Sequence, residues 1–147
     1  TGKKEIIEML RQKSRPYLFS NTLSPVITAA SIAAFDLLEG SDKLRKNLMK
    51  NTTYFRKAMT DLGFDIVPGV HPITPVLFRK FDDDAQLAQR MAHDLYHEGI
   101  YVIGFSFPVV PKGQARIRVQ ISAAHTKEQI DQALTAFEKV GKKHKVI

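Results

Sequence analysis

The stretch Val26 to Leu38 limits the folds open to this chain more than any other. It is entered through Ser24-Pro25 and left at Gly40. Serine at a cap, proline at the first helical position and glycine at the end together predict a helix over 24–39. Val26, Ile27, Ala29, Ala30, Ile32, Ala33, Phe35, Leu37 and Leu38 occupy almost every side of it. A helix apolar all round has to be covered on most of its surface. Thr28, Ser31 and Asp36 interrupt the run, and nothing in the chain approaches the ~18 apolar residues of a membrane span.

The rest of the chain has no surface broad enough to cover that helix. Residues 3–14 place Ile6, Ile7 and Leu10 on one stripe. Arg15-Pro16 breaks the pattern, because a residue before proline is pushed out of the helical region. Residues 16–22 read as an extended connection. Ser41 is placed to cap a helix reaching Leu62, with Leu44, Leu48, Phe55, Met59 and Leu62 at helical steps and Gly63 as its stop. The period then changes. Residues 64–67 and 74–78 read as short strands. Asp82, Asp83 or Asp84 caps a helix carrying Leu87, Ala88, Met91, Ala92 and Leu95 on one face, closed by Gly99. Residues 100–103 read as a strand, and Ala115 to Ile121 alternates cleanly between apolar and polar. Thr126-Lys127-Glu128-Gln129 is a capping box that opens a last helix with Ile130, Ala133, Leu134, Phe137 and Val140 as its stripe.

This order predicts an α+β fold: a small, mostly antiparallel sheet with helices packed on one face. The expected division is a helical segment over 1–40 and an α+β domain over 41–147. So small a sheet cannot cover the 24–39 helix and still face water. A missing domain or a second subunit is expected to do so.

Composition narrows the function. The 147 residues suffice for one domain with a real core. Without cysteine, disulfides, thiolate metal sites and a cysteine nucleophile are excluded. The chain opens Thr1-Gly2-Lys3-Lys4-Glu5, without methionine and without the zones of a signal peptide. It reads as a piece of a longer protein. The net charge is +7, but the cations are spread out. Their densest group, Lys139, Lys142, Lys143 and Lys145, falls in the last turns of a helix, where the carbonyl ends favour positive charge. A basic nucleic-acid-binding domain is the rival that this charge supports, and it would bind with a steep salt dependence. Neither nucleic acid nor membrane is expected as a partner.

Three places could carry chemistry. Arg116 and Arg118 share one strand face about 6–7 Å apart, opposite the apolar face Ile117-Val119-Ile121. An arginine fork can hold a carboxylate through two hydrogen bonds, and spacing alone does not choose between the two. Gly104 to Gly113 is a stiff apolar loop, with prolines at 108 and 111, fit to wall a substrate cleft. Ser20-Asn21-Thr22 precedes a helix, where hydroxyls, amides and free N–H groups can meet a phosphate. His93 and His97 stand four apart on a helix, but no glutamate follows His93 and no third ligand is evident. They read as surface histidines, and no metal is expected.

Two stretches go further: Arg15-Pro16-Tyr17-Leu18-Phe19-Ser20-Asn21-Thr22-Leu23-Ser24-Pro25, and Pro108 through Lys112-Gly113-Gln114-Ala115-Arg116-Ile117-Arg118-Val119-Gln120-Ile121-Ser122-Ala123-Ala124-His125-Thr126. Together they resemble the α-oxoamine synthase family of fold-type I pyridoxal-phosphate enzymes. The resemblance covers essentially the whole chain and implies the C-terminal domain of such a transferase. Ser20 and Asn21 are then expected to reach the phosphate of pyridoxal 5'-phosphate in the neighbouring subunit of a homodimer. Arg118 is expected to hold the substrate's α-carboxylate. The member most resembled condenses glycine with acetyl-CoA. An alternative member would take a longer acyl-CoA or another amino acid. The family default is the cytoplasm, or the mitochondrion in a eukaryote.

The chain also departs from the family. The lysine that anchors the cofactor belongs upstream of residue 1, and neither Lys3 nor Lys4 sits in its motif. The chain alone is expected to be inactive. Residues 79–84 form a longer loop than the family leads one to expect, and this reads as surface variation.

Overall fold

The computed structural model describes all 147 residues. They fall into two compact units, Thr1–Ser41 and Asp42–Ile147. The first holds three helices: α1 (Lys4–Lys13), α2 (Arg15–Phe19) and α3 (Pro25–Gly40). Helix α2 lies where the sequence predicts an extended connection. Pro16 is its second residue, and the first-turn N–H that proline lacks has no partner in any helix. Proline therefore starts this helix, and the break falls one residue earlier, at the extended Ser14 (φ −72°, ψ 107°). At α3 the Ser24 side chain makes no cap bond. Its carbonyl instead accepts from both the N–H and the hydroxyl of Thr28. No residue of these three helices is buried within the chain.

The second unit is the expected α+β layer. Strands β1 (Ile73–Leu77), β2 (Gly104–Phe105) and β3 (Arg116–Gln120) form an antiparallel sheet in the order β1-β3-β2. The register sets Val76 opposite Ile117 and Thr74 opposite Val119, all four buried. On that face lie α4 (Lys43–Asp61), α5 (Asp84–His97) and α6 (Lys127–Lys143), which contribute Phe55, Met59, Met91, Leu95, Ile130, Phe137 and Val140 to a single core. Phe137 meets Phe55 and Phe64 edge to face, with centroids 6.3 and 5.8 Å away.

Two predicted strands are smaller than their composition suggests. Residues 64–67 contribute only one bridge, Ile66 to Val76. Residues 100–103 pair with nothing, and β2 starts just after them. Helix ends follow local chemistry unevenly. Gly63 and Gly99 sit at positive φ (99° and 82°) as stops, and the Thr126/Gln129 capping box is complete. Asp42, not Ser41, stands at the cap of α4, and its carboxylate engages Arg45. Asp83 at the cap of α5 likewise bonds Arg90, while Asp84 accepts from the N–H of Ala115 (2.8 Å).

Candidate functional site

The alternation of β3 sends Ile117 and Val119 into the core and leaves Arg116, Arg118 and Gln120 on the other face. There Arg118 stands opposite Pro75 of β1, and Arg116 stands between Leu77 and Phe105. The two arginines differ. Arg118 is exposed, and its guanidinium carbon lies over the Phe105 ring, 4.6 Å from the centroid. Arg116 is half-buried, and its Nε is buried with no hydrogen-bond partner. Neither is tied to a carboxylate, whereas Arg79 is held by Asp65 and Arg90 by Asp83. In both of those pairs the arginine's hydrogen bond keeps the aspartate below the usual carboxylate range.

Arg118 borders a cleft of about 540 Å³. The unpaired residues Gly99–Ile103, Arg118–Gln120 of β3 with Ile121 after them, Phe105, and Gln129, Ile130, Ala133 and Phe137 of α6 line it. A mostly apolar cleft with one free guanidinium at its border can take a small carboxylate and shield it from water. The apolar loop expected as a wall contributes Phe105 alone. Phe107 and Val109 are exposed, and Lys112 lies over the Phe107 ring.

Ser20 and Asn21 follow α2 and precede α3. Both are exposed, and their side chains bond nothing within the chain, although the Ser20 N–H reaches Pro16 O. Free hydroxyl and amide donors ahead of a helix suit a phosphate. His93 and His97 are exposed and touch each other through their Nε2 atoms at 3.3 Å. No group of three or more His, Asp or Glu stands where it could hold a metal ion.

Sequence reading missed Arg56. In α4 it looks like any helical cation, yet it is buried and bonds only carbonyls. Nε and Nη2 donate to His71 O, Nη1 to Val67 O, and Nη2 also to Ile73 O, at 2.8–3.0 Å. Burial lowers its pKa. It clasps the loop that leads into β1. No local signal marks it, because all its partners lie 11 to 17 residues away.

An antiparallel α+β layer carrying a free arginine beside an apolar cleft is the setting in which the comparisons fall. The family model for aminotransferase class I and II matches residues 1–137, and the chain belongs to that family. It is 52% identical over 146 residues to the 2-amino-3-ketobutyrate coenzyme A ligase of Escherichia coli K12, covering 99% of this chain and 36% of the relative. It is 51% identical over 146 residues to the 8-amino-7-oxononanoate synthase of Thermosipho melanesiensis, again covering 99% and 36%. Among solved structures it resembles the serine palmitoyltransferase of S. paucimobilis with a bound PLP–myriocin aldimine, at a TM-score of 0.82 and 28% identity, covering 95% of this chain and 35% of that one. The chain thus spans about a third of the length of the relatives it matches.

Proposed function

We propose that this chain is the C-terminal part of a pyridoxal-phosphate acyltransferase that condenses glycine with acetyl-CoA to 2-amino-3-oxobutyrate and CoA, a step of threonine breakdown. The observation that carries the reading is Arg118, a guanidinium without an ion-pair partner at an apolar cleft. Its fork would donate two parallel N–H···O bonds to the glycine carboxylate and fix the amino acid's orientation. The cleft walls would keep water from that pair, where charge-assisted bonds count for more. Arg116 fits the role less well, with its Nε buried rather than offered to a ligand.

Pyridoxal phosphate, when bound, supplies the electron sink that stabilises the glycine carbanion. Ser20 and Asn21 would hold its phosphate in the partner subunit of a homodimer, which their unbonded, exposed side chains allow. The exposed α3 would then be covered by the rest of the protein or by the second subunit. The setting is the cytoplasm, or the mitochondrion in a eukaryote. No helix of the chain is long and apolar enough to cross a membrane.

A second reading, 8-amino-7-oxononanoate synthase, draws on the 51% identity to that relative. Assays of the complete enzyme with acetyl-CoA or a longer acyl-CoA, each with glycine, alanine or serine, separate the two. Glycine is expected to release CoA thiol. Release with alanine or serine but not glycine would overturn the choice. Within the complete enzyme, Arg118→Ala is expected to raise the KM for glycine roughly 30-fold or more, the cost of losing a charge-assisted pair. An unchanged KM would sink the carboxylate assignment.

A further inference from the structure

Arg118 is exposed and has no ion-pair partner, so its long side chain would otherwise sample many rotamers. A two-bond grip on a carboxylate needs the fork held in one place before the ligand arrives. The only neighbour over which the guanidinium carbon lies is the Phe105 ring, 4.6 Å from its centroid, well inside the range of cation–π attraction.

The backbone that carries the ring is itself held. Phe105 is paired with Arg116, and Gly104 with Ile117, so β2 is joined to β3. On the other side β2 is pressed against α5. A Cβ built on Gly104 would come within 2.9 Å of the Ala88 carbonyl oxygen, a contact only glycine avoids. Gln89 Nε2 then donates to the Gly104 carbonyl at 3.0 Å. Helix α5 thus holds β2, β2 sets where the Phe105 side chain starts, and the ring offers its face to a side chain that is otherwise free.

We propose that Phe105 is the positioning residue for Arg118, its ring the platform that keeps the guanidinium aimed for the amino-acid carboxylate. This rests on the reading of Arg118 as the carboxylate clamp. It adds that the affinity for the amino acid is set by an aromatic residue on a different strand, one that need not touch the substrate.

The complete, cofactor-loaded enzyme tests it. Phe105→Leu keeps apolar bulk but removes the π face. It is expected to raise the KM for the amino acid roughly 5-fold, with kcat and the KM for acyl-CoA changed less than about 2-fold. Phe105→Tyr, which keeps the ring, is expected to restore the parent KM. In an Arg118→Ala background Phe105→Leu is expected to add less than about 2-fold, since leucine still walls the cleft and the effect particular to the ring runs through the guanidinium. If the leucine variant fails to fold, Phe105→Met takes its place in the same cycle. An unchanged KM in Phe105→Leu, a tyrosine variant as weak as the leucine one, or an equal loss in the Arg118→Ala background would each overturn the platform while leaving the clamp standing. An unchanged KM in Arg118→Ala alone would overturn the clamp, and the platform with it.

Discussion

In Asp42–Ile147 the rings of Phe55, Phe64 and Phe137 meet edge to face and are all but hidden from water. In Thr1–Ser41, Phe19 and Phe35 are 77% and 65% exposed. The same residue type is bare surface in the first unit and, Phe107 apart, buried or half-buried in the second. The second unit closes over a core of apolar residues because a sheet and three helices share one face. The first has helices only, and α3 is apolar on nearly every side, so no arrangement of three short helices hides it. An apolar surface of that extent is what interaction sites present.

Substitution should expose the contrast most sharply at the phenylalanines. Phe137→Ala is expected to lower the unfolding free energy of the second unit by about 4 kcal/mol, through lost burial and the cavity left behind. Phe35→Ala should move the same denaturant curve by less than about 0.5 kcal/mol, as an exposed side chain does. Equal effects would mean that the first unit has a core of its own. Next in size is Arg56→Met, expected to cost about 2–3 kcal/mol because the part-buried hydrogen bonds to the carbonyls of residues 67, 71 and 73 are lost. A loss below about 1 kcal/mol would show that loop standing without its clasp.

A smaller effect of unexpected sign is predicted at Gly141. Helix propensity alone favours alanine there by about 1 kcal/mol. The added Cβ would meet the Phe64 ring at 2.6 Å and Ile147 at 3.1 Å, so a net loss of about 1–2 kcal/mol should appear in the melting curve. The smallest effect is a pH dependence. Asp94 of α5 accepts from Lys143 and His144 of the α6 end, each at 2.7 Å, and these hold its pKa down to about 2. A carboxylate depressed in the folded state stabilises above its unfolded pKa near 4, and that help is lost as pH falls through about 2. Between pH 4 and 2 the parent chain should therefore lose more stability than Asp94→Asn, by about 1 kcal/mol at this partly exposed site. Parallel curves would remove Asp94 as the tie between the two helices.

Much of the second unit can be read locally. The alternation of 115–121, the stops at Gly63 and Gly99 and the Thr126–Gln129 box depend on residues a few positions apart, and all three stand as read. Reading fails where the partner is distant or the alternatives are nearly equal. Residues 100–103 have the composition of a strand but lie along the cleft unpaired, because pairing is decided by a second segment. Arg15-Pro16 reads as a break into an extended connection, but it starts a helix, and only the backbone shows that the extended residue is Ser14. For the candidate site, both arginines and the polar residues at 20 and 21 were visible. The difference in their surroundings was not.

The sequence by itself determined the α+β class, the side of β3 that faces the core, most helix ends and the family, since each rests on short-range periodicity, capping chemistry or contiguous motifs. The tertiary structure alone decided that Arg118 lies over Phe105 while the Nε of Arg116 is closed off, that Arg56 is a buried clasp, and that Gly104 and Gly141 are places where nothing larger fits. Those are facts about which distant surfaces meet, and packing between elements sets them rather than the order of residues within any one element.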